Sequence, residues 1–124
     1  PGGAILVVED NPDNLLTITA ILDEMGCEYA TAEDGEQAVK MAREIRPVLI
    51  LMDIQLPVLS GLDATAQIKA DPDLAGIPIV ALTARAMVGD RKEILAGGCD
   101  DYLSKPIAPS ELMDVVQKWK DKGR

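Results

Sequence analysis

The sequence predicts an α/β domain in which a parallel sheet is doubly wound, with helices on both faces. Three observations predict it. The strongest apolar runs, Ala4–Val8 (AILVV), Val48–Met52 (VLILM) and Ile77–Leu82 (IPIVAL), do not alternate apolar with polar, as suits strands covered on both faces. Helical periodicity fills the intervals between them. The connections are short, so β and α segments succeed one another about five times, and right-handed crossovers then wind helices over both faces.

Taken in order, Ala4–Val8 is the first strand. Asn11 is placed to cap a helix with Pro12 in its first turn, and Leu15, Ile18, Leu22 and Met25 recur on one face of it. Cys27–Thr31 (CEYAT) is a weak second strand. Asp34 and Gln37 form a capping-box-like start for a helix burying Ala38, Val39, Ala42 and Ile45. Val48–Met52 is the third strand, and Ser60 and Asp63 open a helix carrying Leu62, Ala66 and Ile68. Ile77–Leu82 is the fourth strand, a short helix runs from about Gly89 to Ala96, and Cys99–Leu103 is the fifth strand. A last helix follows Pro109 and buries Leu112, Val115, Val116 and Trp119, with Ala108 a poor N-cap before it. Residues 1–3 are expected to be a cloning remnant or a disordered start, and one domain spans 4–122.

Composition narrows the function. In 124 residues, 48% are hydrophobic but only 2% aromatic, so the core is aliphatic and large enough for one domain. Twenty-one acids against 12 bases give a net charge of −9, which disfavours a nucleic-acid surface. The apolar runs fall far short of a membrane span and no signal-peptide pattern is present, so the expected location is the cytoplasm. Cys27 and Cys99 form no metal or redox motif and read as reduced core thiols. Histidine is absent, so chemistry that needs an imidazole must draw it from another molecule.

Sites in such sheets lie outside the carboxyl ends of the strands. Reading those ends off gives Glu9 and Asp10 after the first strand, Asp53 after the third, Thr83 after the fourth, and Ser104, Lys105 and Pro106 after the fifth. Singly, each has an ordinary explanation as a cap, a solvated charge or a backbone-tied hydroxyl. Together, on one edge, they point to a site. Two carboxylates about 4 Å apart repel by about 4 kcal/mol at an effective dielectric of 20, so Glu9, Asp10 and Asp53 need cations. Lys105 supplies one charge, and a hard divalent ion with oxygen ligands, Mg²⁺ or alternatively Mn²⁺, supplies more.

The segments VVED (Val7–Asp10), LILMDIQLP (Leu49–Pro57) with Gly61, IVALTA (Ile79–Ala84) and DYLSKPI (Asp101–Ile107) together resemble the receiver domain of two-component response regulators. The resemblance covers nearly the whole chain. It implies a flavodoxin-like (βα)5 fold with strand order 2-1-3-4-5. It also implies that Asp53 is a phosphoacceptor, that Asp10, Asp53 and the backbone carbonyl of Gln55 bind Mg²⁺, and that Glu9 acts through a metal-bound water. Thr83 and Lys105 would bind the phosphoryl group, and the bond between Lys105 and Pro106 is expected to be cis. Thr83 and Tyr102 would form a switch that reshapes the last two helices. Gln55 and Arg85 would tune phosphoryl lifetime. The expected partners are a histidine kinase or histidine phosphotransfer protein, docking near Asn14 and Thr17, and a downstream effector or tethered output domain. Val58-Leu59-Ser60 departs mildly from the usual Met-Asp before Gly61.

Three other functions fit the sequence less well. A haloacid-dehalogenase-type phosphatase also phosphorylates a strand-end Asp, but it needs a second acid where this chain has Gln55, and the chain is short for a substrate cap. The first loop, Glu9 to Asp13, would repel the phosphate of a flavin mononucleotide. A receiver reduced to a docking module needs no complete pocket. The expectation is a phosphoacceptor that promotes its own phosphorylation and dephosphorylation, not a turnover enzyme.

Overall fold

The computed structural model describes residues 3–84 and 88–122. Five parallel strands, β1 (Ile5–Val8), β2 (Tyr29–Ala32), β3 (Leu49–Asp53), β4 (Ile79–Thr83) and β5 (Asp101–Ser104), lie in the order β2-β1-β3-β4-β5. Five helices connect and follow them: α1 (Pro12–Glu24), α2 (Gly35–Ile45), α3 (Gly61–Ala70), α4 (Val88–Ala96) and α5 (Pro109–Lys122). The fold is the flavodoxin-like arrangement. Caps define three helix starts: Asn11 accepts from the amides of Asp13 and Asn14, Asp34 from Gln37, and Ser60 from Asp63.

Strand alternation sorts the core into two layers. Leu6, Val8, Ile50, Met52, Ile79 and Ala81 face α2, α3 and α4. Ile5, Val7, Leu49, Leu51, Val80 and Leu82 face α1 and α5. Every residue of β1, β3 and β4 is buried, which is why these three runs show no alternation in sequence.

Three sequence expectations are corrected. The second strand spans Tyr29–Ala32, starting two residues later and ending one residue later than the weak apolar run suggests. It is an edge strand with Thr31 exposed, so its pattern is diluted. Ile45 is 39% exposed, because it ends α2 where Arg46 turns the chain into the left-handed region at φ 45°. Ala66 is exposed; α3 instead buries Gly61, Ala64, Thr65 and Ile68, an i, i+3, i+4, i+7 stripe whose Gly and Thr carry no hydrophobic signal.

Register fixes which strand ends meet. Val8 stands opposite Met52, so Glu9 emerges beside Asp53; Asp53 stands opposite Leu82, and Thr83 opposite Ser104.

Candidate functional site

Asp53 is the last residue of β3 and is only 3% exposed. Its Oδ1 accepts the Gln55 amide at 3.0 Å, which ties the carboxylate to the loop that follows. That loop returns tightly: the Gly61 amide donates to the Ile54 carbonyl at 3.0 Å, and a side chain on Gly61 would collide with the Asp53 carbonyl. Glycine alone lets α3 start against the strand end.

Glu9 follows β1, donates its amide to the Ala32 carbonyl at 3.1 Å and is buried. Its Oε2 accepts the Asn11 amide at 3.3 Å. Lys105 reaches in from β5, with its own amide on the Thr83 carbonyl at 2.8 Å. The Lys105 Nζ lies 2.8 Å from Glu9 Oε1 and 3.1 Å from Asp53 Oδ2. The contact with Oε1 is an ion pair rather than a well-formed hydrogen bond, and Oε1 has no other partner. The Lys105–Pro106 bond is cis.

Charge in this pocket is unbalanced. One carboxylate oxygen from each of Glu9, Asp10 and Asp53 can be chosen so that all three lie within 4.8 Å of one another. Burial raises the Glu9 carboxyl above its ordinary 4.5, the hydrogen bond and charge of Asp53 add to the rise, and Lys105 and the Asn11 amide oppose it. Burial draws the Lys105 amine down, but its contacts with Glu9 and Asp53 outweigh that, leaving it above 10.5. Among the described residues, one ammonium therefore stands against a cluster of three acids. The donor set is all hard oxygen, partly buried and partly open through exposed Asp10, which fits Mg²⁺ or Mn²⁺ far better than a thiophilic ion.

Of the residues singled out in sequence, Glu9, Asp10, Asp53 and Lys105 are brought together, with Gln55 joined through its amide. Thr83 ends the strand beside Asp53 and is buried. Tyr102 lies outside this cluster, half-buried against the α2–α3–α4 core layer, with Arg91 of α4 above its ring. Arg85 lies outside the described residues. Sequence reasoning saw Asn11 only as a helix cap and missed its amide on Glu9; the adjacency Glu-Asp-Asn at a strand end was the available signal.

The profile of the response regulator receiver domain matches residues 5–117. Among curated proteins, the polar-differentiation response regulator DivK of Brucella anthropi is 41% identical over 94% of each chain. The receiver domain of sensor histidine kinase PA1611 from Pseudomonas aeruginosa superposes with a TM-score of 0.90 at 45% identity, covering 98% of this chain and 99% of that one; it holds a magnesium ion coordinated in its active-site cleft. A co-crystal of the Saccharomyces cerevisiae histidine phosphotransfer protein Ypd1 with the receiver domain of its downstream response regulator Ssk1 matches with a TM-score of 0.90 and 35% identity, over 98% of this chain and 90% of that one. Among the described residues, no helix is long and apolar enough to cross a membrane. With the profile spanning most of the sequence, the fold in common and the acids and lysine at one sheet edge, the chain belongs to the response regulator receiver domain family of two-component phosphorelay systems.

Proposed function

We propose that this domain, residues 4–122, accepts a phosphoryl group on Asp53 from a phosphohistidine of a partner kinase or phosphotransfer protein. The observation that carries the reading is the buried Asp53 carboxylate held with Glu9 and Asp10 against a single lysine. A carboxylate is already ionised and needs no general base to attack phosphorus. One Asp53 oxygen forms the new P–O bond as the P–N bond to the partner imidazole breaks, so the product is an acyl phosphate and a free imidazole. These 124 residues hold no histidine, so the donor imidazole lies outside them.

Asp10, Asp53 and the Gln55 carbonyl would hold Mg²⁺, with Glu9 acting through water. When bound, the ion serves as Lewis acid and template and relieves repulsion between the donor phosphate and the acidic pocket. Lys105 would leave Glu9 and Asp53 for the incoming phosphoryl oxygens, and the Thr83 hydroxyl would bind another. The adduct is a signal and not a step in turnover: the loop after Asp53 offers Gln55, which has no carboxyl to act as acid or base.

Donor docking is assigned to the exposed side of α1 around Asn14 and Thr17. A separate apolar trough of about 340 Å³ lies on another side of the helix, lined by Pro12, Leu15, Leu16 and Tyr29 among others, with Leu16 70% exposed. The test is incubation with Mg²⁺ and acetyl phosphate followed by intact mass. One phosphoryl adduct is expected, lost with chelator and with Asp53→Asn. An adduct that survives Asp53→Asn overturns the assignment.

A further inference from the structure

We propose that Arg91 is a positioning residue for the Tyr102 ring, and through it couples α4 to the state of the phosphoacceptor pocket. The proposal rests on the receiver reading and adds to it a residue that the family motifs do not contain. Its guanidinium lies 5.7 Å from the centroid of the Tyr102 ring, within cation–π range. The surroundings make that contact consequential. Among the described side chains of α4, residues 91–96, Ile94 alone is buried. Tyr102 stands opposite Ala81 on β4, two residues before Thr83, and three residues before Lys105.

The backbone beneath the ring is fixed from the other side. Asp101 Oδ1 accepts the Tyr102 amide at 2.8 Å, and Asp101 Oδ2 accepts the Trp119 indole N–H of α5 at 2.9 Å. With the strand held by α5, the freedom left at Tyr102 is that of its side chain. A ring that turns away from Arg91 gives up this contact with α4; a ring that stays beneath it keeps the contact. The clamp therefore opposes any rearrangement of Tyr102 that follows phosphorylation. A single exposed cation–π contact shifts such an equilibrium roughly two- to fivefold.

The chain contains only two tyrosines, so fluorotyrosine labelling gives two ¹⁹F resonances. Tyr29, on edge strand β2 with its hydroxyl on Asp23, is the internal control. Spectra would be compared for wild type, Arg91→Gln and Arg91→Lys, each with Mg²⁺, before and after adding beryllofluoride as a phosphoryl mimic. In Arg91→Gln before addition, the Tyr102 resonance is expected to move toward its beryllofluoride position, a two- to fivefold change in population. Tyr29 should stay still, and Arg91→Lys should fall near wild type. If wild-type Tyr102 responds to beryllofluoride but Arg91→Gln leaves it where wild type has it, the clamp is overturned and the receiver reading stands. If Tyr102 moves equally in both variants, the cationic contact is overturned in favour of a steric one. If neither wild-type resonance responds to beryllofluoride, the switch and the coupling fall together.

Discussion

Lys69 and Lys105 stand at opposite ends of the same sheet, each a largely buried ammonium against carboxylate, and they do different work. At the amino edge, Lys69 Nζ donates to the carbonyls of Ala75 and Ile77 at 3.2 and 2.9 Å and pairs with Asp100 at 3.0 Å. Asp100 also accepts the Ile79 amide at 2.8 Å. Every proton of that ammonium has a partner, and one acid meets one base. At the carboxyl edge Lys105 faces Glu9 and Asp53 with Asp10 beside them, so among the described residues three acids meet one ammonium. A satisfied charge cluster fastens a fold; an unsatisfied one is, on the proposed reading, where a cation and a phosphoryl group would be taken up.

The sharpest way to break that comparison is to remove each lysine. Lys69→Met strands the Asp100 carboxylate and leaves two carbonyls unpaired, and is expected to cost about 3 kcal/mol in urea unfolding with Mg²⁺ binding unchanged. Lys105→Met should cost under about 1 kcal/mol, since Glu9 can take up a proton instead, yet slow adduct formation on the order of a hundredfold. A large stability loss at Lys105 with normal phosphorylation would invert the two roles.

Metal sharpens the difference further. An ion that binds only the folded state stabilises it by about 2.7 kcal/mol at a hundred times its dissociation constant. Mg²⁺ should therefore raise the urea midpoint of wild type and of Lys69→Met alike, and leave Asp10→Asn unmoved. A midpoint that rises equally in Asp10→Asn would place the ion elsewhere.

Which parts of this contrast could be read from sequence follows from the range of the interactions. The carboxyl-edge residues each interrupt an apolar run, so Glu9, Asp10, Asp53, Thr83 and Lys105 were legible once the strands were counted. The caps Asn11, Asp34 and Ser60 act within three residues and were equally plain. Lys69 and Asp100 are 31 residues apart, and Arg91 meets Tyr102 across a helix–strand contact; neither pair leaves a periodic trace. The stripe of α3 was misread because its buried Gly61 and Thr65 are defined by close packing rather than hydrophobicity.

The pH response separates the ends next. Glu9 has a folded pKa above its ordinary 4.5, so its contribution to stability is full below about that pH and is lost as pH rises through the raised value. Lys105, held above 10.5, keeps its charge throughout that window. In chelator, Glu9→Gln should match wild type below about pH 4.5 and become the more stable protein as pH rises. The gap grows by about 1.4 kcal/mol for each tenfold difference in proton affinity between folded and unfolded chains. A constant gap from acid to neutral pH would remove Glu9 as its source.

The smallest effect lies in the loops that leave each edge. Residues 71–77, at the amino edge, close on regular turns, with the Leu74 and Ala75 amides on the Asp71 carbonyl and the Asp73 amide on its side chain. Residues 54–60, leaving Asp53, place Val58 in the left-handed region at φ 67°, a costly conformation for a β-branched residue. The loop has no room to relax, because the Leu59 carbonyl packs against Gly35 and Gly61 packs against Asp53, each where a side chain would collide. Val58 is 75% exposed and gives up little packing if replaced. Val58→Asn, whose side chain tolerates this region, is expected to stabilise the protein by about 1 kcal/mol and leave the phosphoryl adduct unchanged. Stabilisation accompanied by slower phosphorylation would show that the strain at this edge serves the chemistry, in contrast to the relaxed loop at the other.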